Sequence, residues 1–311
     1  MQQRPLGRSG ISIAPIMLGG NVFGWTADEK TSHAVLDAFV GAGFNAIDSA
    51  DVYSAWAPGH KGGESETVIG SWLAARGKRD DVVIATKLGM WPKYPKLTKA
   101  NIVTACEDSL TRLRTDYIDL YQAHKDDAET PLDETMAAFA TLKQAGKVRA
   151  IGASNYAAER LKTANGAAKA GARFETLQPQ YNLMARAEFE TDLQPLCVKD
   201  GIGVISYYGL ASGFLSGKYR SEADLGKSPR GGGMKKYLNE KGFAVLGALD
   251  AVAGRHDATP AQVALAWVMA KPAIAAPIVS ATSTEQLRDI LGAASLTLTA
   301  ADMAELDRAS A

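Results

Sequence analysis

The feature that most narrows the fold is a rhythm. Short apolar runs alternate with longer segments of helical period, and the alternation repeats eight times along the chain. Residues 16–18, 44–47, 82–85 and 117–121 read as the first four buried strands, and 148–152, 176–178, 203–206 and 274–278 as the other four. Between them, segments such as 31–40, 66–75 and 102–113 carry apolar residues at helical spacing; in the last, Ile102, Cys106, Leu110 and Leu113 share one face. Thr98 suits the start of that helix, and Pro131 after Thr130 opens the next. Gly41-Ala42-Gly43 and Gly146 mark helix ends before strands. Eight such units predict an α/β fold, a parallel (α/β)8 TIM barrel, over a doubly wound open sheet. No composition break resembles a linker, so residues 1–311 are read as one barrel domain. Ahead of the first strand, residues 4–7 and 11–13 flank Arg8-Ser9-Gly10, a hairpin signal placed to lid the barrel floor. At the other end, Thr299 to Asp302 starts an additional C-terminal helix expected to pack outside.

Composition removes several function classes. Lys plus Arg and Asp plus Glu are both 34, so no basic field for nucleic acid and no polybasic lipid anchor exists. No stretch reaches the roughly 20 apolar residues needed to span a bilayer, and residues 1–10 are too polar for a signal peptide. A cytoplasmic protein is the default expectation. Cys106 and Cys197 fit neither a disulfide framework nor a metal motif, and no metal is expected. One segment breaks the rhythm. Residues 209–242 are rich in Gly, Ser, Lys and Arg and include Gly231-Gly232-Gly233. A long irregular loop in a compact domain is either a disordered excursion or a segment that folds over a ligand.

Active sites of parallel barrels lie at the C-terminal ends of the strands. The second strand ends at Asp48 with Tyr53 just beyond, the third in Thr86-Lys87, and the fourth in Gln122-Ala123-His124. Singly, each has a plain explanation: a helix cap, a rim aromatic, a strand-end lysine, a structural histidine. Their coincidence on consecutive strand ends points to carbonyl reduction, which needs hydride at carbon and a proton at oxygen. A tyrosine, with an ordinary pKa of about 10, holds its proton at neutral pH and can give it up. Lys87 can stabilise the phenolate, Asp48 can hold Lys87 charged and oriented, and His124 can donate a hydrogen bond to the carbonyl oxygen.

These residues carry a resemblance. FNAIDSADVY at 44–53, IATK at 84–87, DYIDLYQAH at 116–124, GKVRAIGASN at 146–155 and GFLSGKY at 213–219 occur in the order and spacing of an aldo-keto reductase, and the sequence resembles that family over nearly its whole length. The resemblance implies a catalytic tetrad of Asp48, Tyr53, Lys87 and His124, and NAD(P)H bound without a Rossmann domain. Gly41-Ala42-Gly43 is no dinucleotide fingerprint, since it ends a helix and precedes a strand. By the same resemblance Ser154, Asn155 and Gln178 hold the nicotinamide carboxamide, and Tyr207 stacks on its ring. Gly20, Asn21 and Asp48 lie on the cofactor side. Leu210, Ser212, Gly213, Leu215 and Lys218 cradle the pyrophosphate. Ser280, Thr282 and Gln286 face the adenosine end. There the sequence departs from the pattern of many relatives that prefer NADPH: the arginine expected where Thr282 stands and the asparagine expected near Ile290 are both missing. Lys218, Lys227, Arg230 or Arg288 can replace the missing cation for a 2′-phosphate, and NADPH is expected ahead of NADH.

Trp25, Trp56, Trp91 and Tyr94 lie in the loops after strands one to three and, with Tyr53 and His124, suggest an apolar pocket for a small carbonyl substrate. Two other functions remain in view. Lys87 can serve a Schiff-base lyase, and some members of the resembled family are cofactor-binding regulatory subunits of channels.

Overall fold

A computed structural model describes residues 2–168, 172–228 and 231–311. A two-stranded antiparallel hairpin, β1 (Arg4–Pro5) and β2 (Ser12–Ile13), precedes the barrel. Eight parallel strands follow: β3 (Met17–Gly19), β4 (Ala46–Asp48), β5 (Val83–Leu88), β6 (Ile118–Ala123), β7 (Val148–Ser154), β8 (Phe174–Gln178), β9 (Gly203–Ser206) and β10 (Ile274–Val279). They close in sequence order, with β10 pairing β3 through Ile278 with Met17 and Val279 with Leu18. The expected (α/β)8 barrel is thus the observed fold. Six of the eight strands run one to three residues beyond the ends of their apolar runs; β8 and β9 stop where those runs stop. The extra residues include the polar Asp48, Thr86, Lys87, Gln122 and Ser154. Backbone pairing continues through them because the ladder does not depend on side-chain polarity: Lys87 pairs with Gln122, Gln122 with Gly152, and Gly152 with Thr176.

The helices form the outer ring. In chain order they are α1 (Glu29–Gly41), α2 (Glu64–Arg76), α3 (Lys99–Leu113), α4 (Leu132–Gln144), α5 (Ala158–Ala167), α6 (Gln194–Asp200), α7 (Glu240–His256), α8 (Pro260–Met269), α9 (Thr284–Gly292) and α10 (Ala300–Ala309). Local chemistry sets their starts. Thr98 accepts from the Asn101 amide, and Thr259 and Thr299 each form reciprocal caps with Gln262 and Asp302. The last helix packs outside as expected: Asp307 accepts from Trp267 Nε1 of α8 at 2.9 Å.

The hairpin plugs the floor. Leu6, Ile11 and Ile13 fill the lumen with Met17, Ala46, Val83, Ala85, Leu120, Ala150 and Ile205. Gly7, with φ +58°, lies so close to the base of β8 that a side chain there would strike the Glu175 carbonyl. The described part of 209–242 is folded, not a disordered excursion. It forms three short 3-10 turns, Ala211–Ser216, Glu222–Lys227 and Gly231–Tyr237, whose Phe214, Leu215, Tyr219 and Met234 are buried.

Candidate active site

β4 and β5 deliver the charged pair. Asp48 and Lys87 both point into the lumen and are fully buried. Lys87 Nζ lies 2.7 Å from each Asp48 carboxylate oxygen and 2.6 Å from the Ser49 carbonyl. An ammonium has three N–H groups, and these three acceptors occupy them. Burial lowers the Lys87 pKa, while the Asp48 charge and hydrogen bonds, then Asp51 and Glu66, oppose the shift. Gly20 helps to fix the carboxylate strand: its amide donates to the Asp48 carbonyl at 2.7 Å, and a side chain on it would collide with Ser65 Oγ. Gln178, at the end of β8, completes the shell from across the mouth by donating Nε2 to Asp48 Oδ1 at 3.0 Å.

Tyr53 sits in the turn after β4. Its hydroxyl donates to Asp48 Oδ2 at 3.3 Å, and Lys87 Nζ lies 4.8 Å from its ring centre. Burial, then the Asp48 charge, raises the phenol well above 10, so it holds its proton. His124 follows β6 directly, its amide bonded to the Leu88 carbonyl at 2.8 Å. The imidazole lies 5.9 Å from the Tyr53 ring, centre to centre. Burial, then Lys87, holds its pKa well below 6.5, so it is neutral. Its Nδ1 is buried without a hydrogen-bond partner. The four residues named from strand ends converge on one point.

The opposite wall is polar and interlocked. Asn155, in the left-handed conformation (φ +56°), donates to the His124 carbonyl and to Ser154 Oγ, both at 3.0 Å, and accepts from the Tyr207 hydroxyl at 2.8 Å. Ser154 in turn donates to the Gln178 carbonyl at 2.8 Å. Beyond Tyr207 the chain turns sharply. Tyr208, Ala211 and Ser212, all non-glycine, and Gly213 have positive φ. Left-handed backbone is costly for such residues and concentrates at sites where amides must be aimed. Lys218 Nζ stands 3.7 Å from where a side chain on Gly213 would begin. Leu215 is buried and its amide is bonded to the Leu210 carbonyl, so it contributes to the turn's shape. Residues 154–155, 178 and 207–218 therefore form a polar wall, an aromatic edge and a cationic turn, which suits a nicotinamide and its pyrophosphate.

At the β10 end, Ser280 bonds Asn21 across the seam of the barrel. The amide and hydroxyl of Thr282 both donate to Gln286 Oε1 at 3.0 Å. Lys227 is paired with Asp224 at 2.6 Å, and Arg230 lies outside the described residues. Of the aromatic residues, Trp56 packs edge-on against Trp25 (5.6 Å) and Tyr53 (6.0 Å) and is 49% exposed at the mouth. Trp91 is elsewhere: it packs on Tyr94, Gly62 and the Arg112 guanidinium, loop against helix. Two features escaped the reading of strand ends. Exposed Tyr208 stands beside Tyr207, ring centres 5.1 Å apart. Asp51 is fully buried with neither carboxylate oxygen hydrogen-bonded. An acid three residues after Asp48, amid Ser49, Ala50 and Val52, was the available signal.

A closed parallel barrel with an acid, a phenol, an ammonium and an imidazole at its mouth, beside a polar wall, defines a class of oxidoreductase barrel. The model of the Aldo/keto reductase family matches residues 15–311, and the chain belongs to that family. Membership implies NAD(P)H-dependent oxidoreduction of carbonyl compounds. The chain is 36% identical to an uncharacterized oxidoreductase, YrpG, of Bacillus subtilis, covering 96% of this chain and 92% of that protein. It is 31% identical to a probable voltage-gated potassium channel subunit beta of Arabidopsis thaliana, over 93% and 90%. Among solved structures, the thermostable aldo-keto reductase Tm1743, in complex with the inhibitor epalrestat, superposes with a TM-score of 0.80 at 28% identity, covering 99% of this chain and 100% of that one. Among the described residues no helix is long and apolar enough to cross a membrane.

Proposed function

We propose that this protein reduces small aldehydes or ketones with Tyr53 as general acid and NADPH as preferred cofactor. One observation carries the reading: Tyr53 shares Asp48 with Lys87, whose ammonium lies 4.8 Å from the phenol ring. The bound cofactor supplies hydride to the carbonyl carbon. The protein's task is the oxygen. Neutral His124 has one N–H to give to the carbonyl oxygen and cannot compete as a strong acid. Tyr53 is a weak acid here, yet the alkoxide that forms is about as basic as hydroxide and far more basic than an ordinary phenolate. Transfer from a phenol is therefore favourable only once charge develops, which ties the proton to hydride arrival. Lys87 stabilises the phenolate left behind by charge attraction, and Asp48 keeps Lys87 in place. Ser154, Asn155 and Gln178 would hold the carboxamide, Tyr207 would flank the ring, and the 210–218 turn would take the pyrophosphate. Trp25 and Trp56 would line the substrate side.

The preference for NADPH rests on Lys218 and Arg288, neither of which is paired with a carboxylate among the described residues; a dianionic 2′-phosphate suits such cations. Side-by-side Michaelis constants with NADPH and NADH test it, and a clearly lower value for NADH overturns it. The Schiff-base alternative is disfavoured by the complete burial of Lys87 and its three filled donors. Similarity to a channel subunit supports keeping a regulatory role as second reading. A panel of aldehydes and ketones followed by NADPH absorbance separates the two. Turnover that Tyr53→Phe abolishes supports the reductase; turnover unchanged in the variant removes Tyr53 as the acid.

A further inference from the structure

The proton chemistry above uses one buried carboxylate, Asp48, but the site holds another. Asp51 is bonded through its amide to the Lys87 carbonyl at 3.0 Å, which fixes it beside β5. Its side chain is fully buried and neither oxygen has a hydrogen-bond partner. We propose that Asp51 is a positioning residue of the reductase site: it acts through Lys87 as a second carboxyl, whose charge sets how well the Asp48–Lys87 pair stabilises the Tyr53 phenolate. The inference rests on the reading of Tyr53 as proton donor.

The surroundings explain why Asp51 is not simply another ion-pair member. The cations near it are Lys87 and Arg112. Lys87 has spent its three N–H groups on Asp48 and Ser49. Arg112, on α3, gives Nε to Glu66 at 2.7 Å and Nη2 to Ser109 at 3.2 Å. Glu66, on α2, brings negative charge and also accepts from Thr86 Oγ1 at 2.5 Å. From β6 comes the Tyr121 phenol, buried, unpartnered and raised well above 10, and from α3 the Cys106 thiol, pushed up to about 12; both stay neutral at ordinary pH. An ionised carboxylate in this place is shut off from bulk solvent, and neither oxygen accepts a hydrogen bond by geometry. Burial, with Glu66 adding to it, therefore pushes the Asp51 carboxyl up to about 8, against the pull of Arg112, the Val52 amide and Lys87.

The consequence is directional. While Asp51 is neutral, the Lys87 charge is balanced chiefly by Asp48, with a smaller contribution from Glu66. Once Asp51 ionises, a further negative charge bears on Lys87, the phenolate is less stable, and proton delivery slows. No bond is made or broken at Asp51; only its own proton leaves, to solvent.

The test is the pH profile of kcat for aldehyde reduction at saturating NADPH, from pH 6 to 10, for the wild type and Asp51→Asn. The wild type is expected to fall about tenfold through the titration of Asp51, equivalent to one pKa unit in the donor, while Asp51→Asn stays level. Superimposable profiles overturn the proposal. An infrared pH titration gives a readout that does not need activity. A carboxylic acid C=O band should be present at pH 6, fade by pH 10, and be missing from Asp51→Asn. Its absence from the wild type overturns the proposal even where the variant fails to fold. A wild type that reduces no carbonyl at any pH refutes the reductase reading instead, and the infrared band still decides the charge of Asp51.

Discussion

At the floor of the barrel, Leu6, Ile11 and Ile13 of the hairpin fill the lumen against Met17, Val83, Leu120 and Ile205. At the mouth, the same wall presents Asp48, Lys87, Gln122, Thr176 and Gln178, all buried. At the floor, the Asn45 side chain accepts from the Ala14 amide at 2.9 Å and donates to the Ser12 carbonyl, and Arg4 donates to the Met269 carbonyl; Arg173 Nε is an exception, without a hydrogen-bond partner. At the mouth, Gln122 Nε2 and Oε1, Thr176 Oγ1 and His124 Nδ1 have no partner. The positive-φ non-glycine residues 155, 208, 211 and 212 also lie at that end. The floor is closed by apolar packing, and the mouth holds buried polar groups without hydrogen-bond partners, at a cost in stability.

Substitutions sharpen this contrast. The largest effect is expected from Tyr53→Phe, which removes the proton donor and leaves the ring packing in place. kcat should fall about 10²- to 10⁴-fold with the thermal midpoint nearly unchanged. At the other end, Ile13→Ala should do the reverse. It empties a fully buried floor position and should cost about 2–5 kcal/mol in denaturant unfolding, with kcat for the folded fraction unchanged. Loss of turnover without loss of stability in Ile13→Ala would break the contrast.

Asp51 gives a pH test of the same idea. Its folded pKa of about 8 lies above the unfolded value of about 3.9. The native state thus holds a proton that the unfolded chain has released. The stability from this proton is full below about pH 4 and is lost as pH rises toward 8, at no more than about 1.4 kcal/mol per pH unit. Asp51→Asn should remove that slope in unfolding curves taken between pH 5 and 8. An unchanged slope places the charge elsewhere. The smallest effect is expected on the outer helix: Thr299→Ala deletes the α10 cap and should cost about 1 kcal/mol, with unchanged kinetics.

Much of this architecture was legible in the sequence because periodicity reports burial. The eight apolar runs found every barrel strand, and Gly41-Ala42-Gly43, Gly146, Thr98 and Thr299 sit at helix ends as their chemistry requires. The apolar runs stop short of the strand ends, since Lys87 and Gln122 are polar; they were placed at strand ends only because catalytic groups of a parallel barrel gather there. Tyr53, Asp48, Lys87 and His124 could be found because each follows an apolar run closely. Asp51 could not, since its significance lies in its burial and in Glu66 and Arg112, distant in sequence. Nor could the placement of Trp91, which a loop position alone does not decide.

One hydrogen bond has a practical consequence. Gln178 of β8 meets Asp48 of β4 across the mouth. A cut between α4 and β7 would leave Asp48, Tyr53, Lys87 and His124 on one fragment and Ser154, Asn155, Gln178 and Tyr207 on the other. Neither fragment then owns a complete site. Recovered catalysis on mixing would report reassociation of the two pieces, which makes this barrel a scaffold for a complementation assay whose signal arises only at the joint.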